Sequence, residues 1–97
     1  MRMMLRITLP VEKGNAAIKD GSLPRIIQSA LQEVKAEAAY FTALDGARTG
    51  LIFFDLPAAS DIPRLVEPLF AGLNAAVELV PVMNADDLKA GLGKVKV

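Results

Sequence analysis

Apolar residues recur along this chain in two regular spacings. Met3, Leu5, Ile7 and Leu9 alternate with Met4, Arg6 and Thr8, the period of a half-buried strand, and Pro10 ends the run. Leu23 to Val34 and Ile62 to Leu73 both carry apolar residues at i, i+3, i+4, i+7, i+8 and i+11, which predicts two amphipathic helices. Strand-like runs flank each helix. The order strand, helix, strand, strand, helix, strand predicts an α+β fold of the split β-α-β type (βαββαβ). Its antiparallel four-stranded sheet would have the order 4-1-3-2, with the helices on one face.

Local signals refine this frame. Gly14 to Gly21 reads as one capped helical turn, with Asn15 as its N-cap and Gly21 as its stop. Ser22 is expected to cap the first main helix, with Pro24 in its first turn and Arg25, Gln28, Ser29, Gln32 and Glu33 on its polar face. Residues 36–44 and 47–56 form two strand-like runs around Asp45-Gly46, a strong signal for a two-residue type I′ hairpin. Counting outward from that turn pairs Ala47 with Leu44, Thr49 with Thr42, Gly50 with Phe41, Leu51 with Tyr40 and Ile52 with Ala39. Phe41 can then lie over Gly50. Ser60 is expected to cap the second helix with Asp61 complementing its dipole, and Pro68 should bend it. Pro81 places the last strand, Ala75 to Met83, on a sheet edge. Asn84, Asp86 and Asp87 open a short terminal helix that stops near Gly91 and Gly93, and residues 90–97 are expected to form a mobile tail.

The same counting sorts the side chains by sheet face. Phe41, Ala39 and Ile52 share the helix-covered face, while Tyr40, Thr42, Thr49, Leu51 and Phe53 share the other. With Met4, Val80 and Val82 the second face becomes an apolar patch that should not face water in a monomer. A homodimer packed through sheet faces or edges is therefore expected.

Composition agrees with that expectation. A chain of 97 residues fits a single domain, residues 1–97, with a modest core. Its hydrophobic fraction of 53% and mean hydropathy of +0.37 leave a small monomer little room to hide apolar surface. No apolar stretch approaches the roughly 18 to 20 residues needed to span a bilayer, and Thr8, Pro10 and Glu12 interrupt any signal-peptide core, so a cytoplasmic protein is expected with no membrane partner. Lysine plus arginine and aspartate plus glutamate number 11 each, which leaves no charge excess to attract nucleic acid. The chain has no histidine and no cysteine. Ser-His-Asp and Cys-His catalysis, and histidine- or cysteine-ligated zinc, haem or iron-sulfur centres, are thereby excluded. No glycine-rich phosphate loop is present. Asp86-Asp87 is read as helix capping, and no cofactor or metal is expected.

Few residues remain as candidates for chemistry. Tyr40, the only tyrosine, stands with Thr42 and Thr49 on the second face. There the three could orient a small polar ligand, or Tyr40 could be an amphipathic interface residue. Arg48 begins the third strand on the helix-covered side and Glu67 flanks the apolar stripe of the second helix. If they converge on a cleft they could bind a carboxylate and place a general base; otherwise they form a rim ion pair. Arg6 and Glu78 fall opposite each other on strands one and four and could pair there.

Ala38-Ala39-Tyr40-Phe41-Thr42, Gly46-Ala47-Arg48-Thr49-Gly50, Glu67-Pro68-Leu69-Phe70, Leu73-Asn74-Ala75 and Pro81 to Leu88 together resemble a small uncharacterised bacterial family. That family is one of ferredoxin-like dimeric α+β barrel proteins, distantly similar to muconolactone isomerase. The resemblance runs from Gly14 to Leu92 and implies a ferredoxin-like domain and a sheet-mediated dimer; it supplies no active-site residues. Three functions stay open: a homodimer that binds a small, partly apolar ligand in a cavity beside the sheet, a cofactor-free isomerase or monooxygenase-like enzyme acting by proton transfer, and an interaction module.

Overall fold

Alternation drives the sheet. In the computed structural model, which describes residues 1–97, β1 (Arg2–Thr8) buries Met3, Leu5 and Ile7 on one side and leaves Met4, Arg6 and Thr8 half-buried on the other. β2 (Ala38–Leu44) and β3 (Ala47–Asp55) form the hairpin, with Asp45 and Gly46 both at positive φ (53° and 77°), as the turn demands. Its register is the one counted from the turn, from Leu44 opposite Ala47 to Ala38 opposite Phe53. β4 (Ala76–Pro81) pairs with β1, placing Pro81 opposite Met3 at the strand end. The antiparallel sheet runs β2-β3-β1-β4, which reads 4-1-3-2 from the β4 edge.

Three helices fill one side. α1 (Val11–Asp20) and α2 (Ser22–Val34) follow β1, and α3 (Ile62–Leu73) follows a 3-10 turn at Ala59–Asp61. Leu65, Val66, Leu69 and Leu73 of α3 meet Leu5, Ile7, Ile52 and Phe54 of the sheet to make the core. Pro68 inside α3 has no N–H to return to the Arg64 carbonyl.

Several helix starts differ from the sequence expectation. α1 is a full helix of ten residues that begins at Val11, so Asn15 lies in its middle and caps nothing. The apolar positions Val11, Ala17 and Ile18 are too sparse to announce it. Ser22 opens α2 but does not cap it: Gly21 is the N-cap, with φ at 79°. The Asp20 carboxylate instead accepts from the Ser22 backbone N–H at 2.8 Å. Ser60 caps no helix either, being inside the 3-10 turn, while Asp61 stands at the N-cap of α3 with no side-chain capping bond and accepts from Arg64 at 3.2 Å.

The Asp20 contact carries a measurable consequence. The Ser22 hydroxyl, and then the Ser22 backbone N–H, hold the Asp20 carboxyl below its ordinary pKa of 3.8. A carboxyl depressed in the folded state stabilises the fold above its unfolded value and loses that contribution as pH falls through the folded value. The carbon-detected NMR titration of Asp20 is therefore expected to have a midpoint below 3.8, and Ser22→Ala should raise it.

α4 (Ala85–Leu92) is the best capped helix of the chain. Asn84 accepts from the Asp87 N–H at 2.8 Å and Asp87 accepts from the Asn84 N–H at 3.1 Å, a complete capping box. Asp87 also accepts from Arg2 at 3.1 Å. Residues 90–92 thus belong to this helix, and Gly93 and Lys94 continue with backbone bonds to Lys89 and Gly91. Yet α4 buries no residue, and Leu88 and Leu92 stay exposed. The radius of gyration, 15.4 Å, exceeds the roughly 12.5 Å expected of a compact chain of this length.

Candidate functional site

The helices leave two parts of the sheet uncovered, and the candidate residues divide between them. On the face away from the helices, Phe53 and Val80 flank Met4, and Leu51 and Glu78 flank Arg6. Val82 follows the end of β4, its N–H donating to the Arg2 carbonyl at 3.1 Å. Tyr40 is opposite Leu51 and edge-on to Phe53, with ring centroids 6.5 Å apart. It is 63% exposed and its hydroxyl has no protein partner. Thr42 is exposed beside it. Thr49 is buried, and its hydroxyl donates to the Ala47 carbonyl at 3.1 Å, leaving that proton unavailable to a ligand. Tyr40, Thr42 and Thr49 do share this face, but they line an open surface rather than a closed cavity.

Arg6 occupies the middle of the same face. Its Nη2 meets Asp45 at 3.3 Å and its Nε lies 4.0 Å from Glu78, as their opposed register positions suggest. Glu78 remains 66% exposed, so this is not a buried pair. The Arg6 Nε is nonetheless buried and has no hydrogen-bond partner.

The second uncovered region is on the helix side. α1 and α2 pack over β3 and stop short of β2, whose Phe41 is 56% exposed even though it points toward the helices. Phe41 lies flat enough on the chain that a Cβ at Gly50 would come within 3.1 Å of its ring. Between this ring and α2 is a hollow of about 390 Å³, walled by Leu9, Leu23, Pro24, Ile27 and Phe41, with Arg48 on its lining. Thr42, Thr49 and Gly50 complete its floor along β2 and β3.

Arg48 reaches from β3 to α1. Its Nη2 donates to Asn15 Oδ1 at 2.9 Å and its Nη1 makes a longer contact, 3.4 Å, with the Val11 carbonyl. A Cβ at Gly14 would fall 2.6 Å from Nη1. Glycine in a helix interior costs about 1 kcal/mol relative to alanine. Gly14 therefore trades helix propensity for the space the guanidinium occupies. The adjacent pair Gly14-Asn15, two poor helix formers, was the sequence signal for this contact, and reading it as a cap concealed it.

Glu67 is exposed on α3, forms no ion pair and does not line the hollow. Arg48 and Glu67 thus neither converge on a cleft nor form a rim ion pair; Asn15 and Val11 hold the guanidinium instead. Of the candidate residues only Arg48 stands on the hollow's side of the sheet; Thr42 and Thr49 border it along β2 and β3 with their side chains on the other face, and Tyr40 and Glu67 stand elsewhere. Phe41, Leu23 and Ile27 complete it, having been read only as sheet and helix packing.

Two further hollows lie between and below α2 and α3, about 380 and 360 Å³, and share Glu33, Arg64 and Leu65. The cation they share is already neutralised, because Arg64 pairs with both Glu33 and Asp61, while Arg25 lines the first and Lys35 the second. No cluster of acidic side chains is arranged to hold a metal ion, and no helix is long and apolar enough to cross a membrane. Compared with known proteins, the chain matches no family model and no curated protein.

Proposed function

We propose that this protein is a ferredoxin-like homodimer of the dimeric α+β barrel kind that binds a small, partly apolar ligand in the hollow between α2 and the β2-β3 hairpin. The observation that carries the ligand reading is the hollow itself: about 390 Å³ with an almost wholly apolar wall, within the range of small-molecule sites. An apolar concavity of that size at a sheet edge is costly to leave to water unless something fills it. The dimer rests on the other face, where Met4, Leu51 and Phe53 are only partly covered and Val80 is exposed. A second copy would supply cover for them.

The same geometry weighs against proton-transfer catalysis. Tyr40 is on the open face of β2, Arg48 on the helix side of β3, and Glu67 on the exposed side of α3. A general acid and base need to reach one bound substrate within hydrogen-bond distance.

A neutral apolar probe tests the ligand reading. Millimolar 3-phenylpropanamide is expected to shift the backbone amide resonances of Leu23, Ile27, Phe41 and Gly50 saturably, leaving those of α4 unmoved. Shifts scattered over the whole surface, or none, would remove the hollow from consideration as a binding site.

A further inference from the structure

α4 is a well-formed helix with nothing of its own chain to lie on. Isolated helices shorter than about 12 to 15 residues are marginal in water, so a helix of eight residues is sustained by tertiary contact. The capping box secures its first turn only. Beyond that turn α4 buries no residue, and the molecule extends 54 Å along one axis against 28 and 18 Å along the others. Leu88 and Leu92, one turn apart on one side of the helix, are 46% and 61% exposed.

The place where α4 starts decides what it can reach. β4 ends at Pro81, opposite Met3, so the chain leaves the sheet at the end where β1 begins. Arg2 alternates with Met3 and therefore stands on the open face with Met4 and Arg6. Its guanidinium donates to Asp87 at 3.1 Å, which ties the first turn of α4 to the rim of that face. The row of the sheet nearest this rim is Ala38, Phe53, Met4 and Val80, and Tyr40 meets Phe53 edge-on. When two open faces pack about a two-fold axis parallel to the strands, the ends of the sheets coincide and the edges exchange. The β4 edge of one copy then lies over the β2 edge of its partner, and α4 stands beside the partner's Tyr40 and Phe53.

We infer that α4 is an arm exchanged between two copies of this chain, laying Leu88 and Leu92 on the partner's Tyr40 and Phe53. This inference rests on the sheet-face dimer proposed above and adds the segment that closes its margin. Charge favours the same placement. Residues 88–97 carry Lys89, Lys94 and Lys96 and no acidic side chain, and none of the three lysines makes an ion pair within its own chain. Glu37, at the corner of the face where the arm would lie, shares its one arginine with Asp87.

The test compares the full chain with its Leu88→Ala/Leu92→Ala variant by sedimentation equilibrium. Alanine preserves helix propensity, and both leucines are exposed in the single chain, so circular dichroism should not change. Dimer affinity is expected to fall by more than about a hundredfold, because the symmetric interface loses four leucine side chains, each worth about tenfold or more when buried. In dimers mixed from isotope-labelled and unlabelled copies, the Leu88 and Leu92 methyl protons should show NOEs to the ring protons of the partner's Tyr40 and Phe53. A dimer of unchanged affinity in the double variant, or methyl contacts confined to the same copy or to the partner's helices, would overturn the arm and leave the sheet-face dimer standing. An unmodified protein that sediments as a single chain at micromolar concentration would overturn both.

Discussion

Phe54→Ala is expected to lower the stability of this fold by about 3 to 5 kcal/mol. Phe54 is the largest of the fully buried side chains, 1% exposed, and stands on β3 opposite Met3 of β1. Removing its ring takes away both its transfer free energy and the contacts of the Leu5, Ile52 and Leu69 cluster around it, because a packed interior relaxes only partly into the void. A domain of this length has about 5 to 15 kcal/mol in total. The substitution should therefore lower the thermal midpoint by roughly 12 to 40 °C, since each kcal/mol moves it about 4 to 8 °C. Calorimetry checks this directly. A shift of only a few degrees would mean that β3 and β1 do not meet α3 across Phe54.

Most of the framework was legible because strand alternation and hairpin register are local properties. The Asp45-Gly46 turn fixes which residue faces which, and every pair from Leu44–Ala47 outward follows from it. Pro81 identified an edge strand for an equally local reason, a missing N–H. Helix starts were less legible. α1 carries few apolar residues and contains Gly14 and Asn15, so local propensity argues against a helix that tertiary contact with Arg48 sustains. Ser22 and Ser60 look like caps by residue type, but Gly21 and the 3-10 turn set those starts through backbone geometry. The site was legible only in part for a related reason. Arg48 was found because a polar residue in an apolar strand is conspicuous, whereas the walls of the hollow are ordinary leucine, isoleucine and phenylalanine. Only the lateral position of α2 relative to β2 leaves a gap among them, and no spacing in the sequence encodes a lateral position.

Phe53→Glu is expected to convert the proposed dimer into a folded monomer at micromolar concentration. Phe53 stands on the open face between Ala38 and Met4, with no cation directly opposite it, and its ring is met edge-on by Tyr40. Within one chain the loss is modest, because the ring is only half-buried and an aromatic pair adds about 0.5 to 1.5 kcal/mol. Across a symmetric interface the same change places two carboxylates, one from each copy, in a surface that excludes water. Each then costs several kcal/mol in lost hydration unless a partner charge receives it. Arg6 is the nearest candidate in the centre of the sheet, but its Nη2 is already on Asp45 and its Nε faces Glu78. Dimer affinity should consequently fall by more than about a hundredfold, which is under 3 kcal/mol and so smaller than the penalty for the pair. Sedimentation equilibrium of both proteins reads the mass, and circular dichroism verifies that the variant keeps its sheet. Should the unmodified protein itself sediment as a single chain, the apolar rows of Met4, Leu51 and Phe53 would be a solvent-facing surface and the proposed dimer would fall. If instead Phe53→Glu remains a dimer, the two copies meet elsewhere, and the exposed Leu88 and Leu92 of α4 become the next surface to substitute.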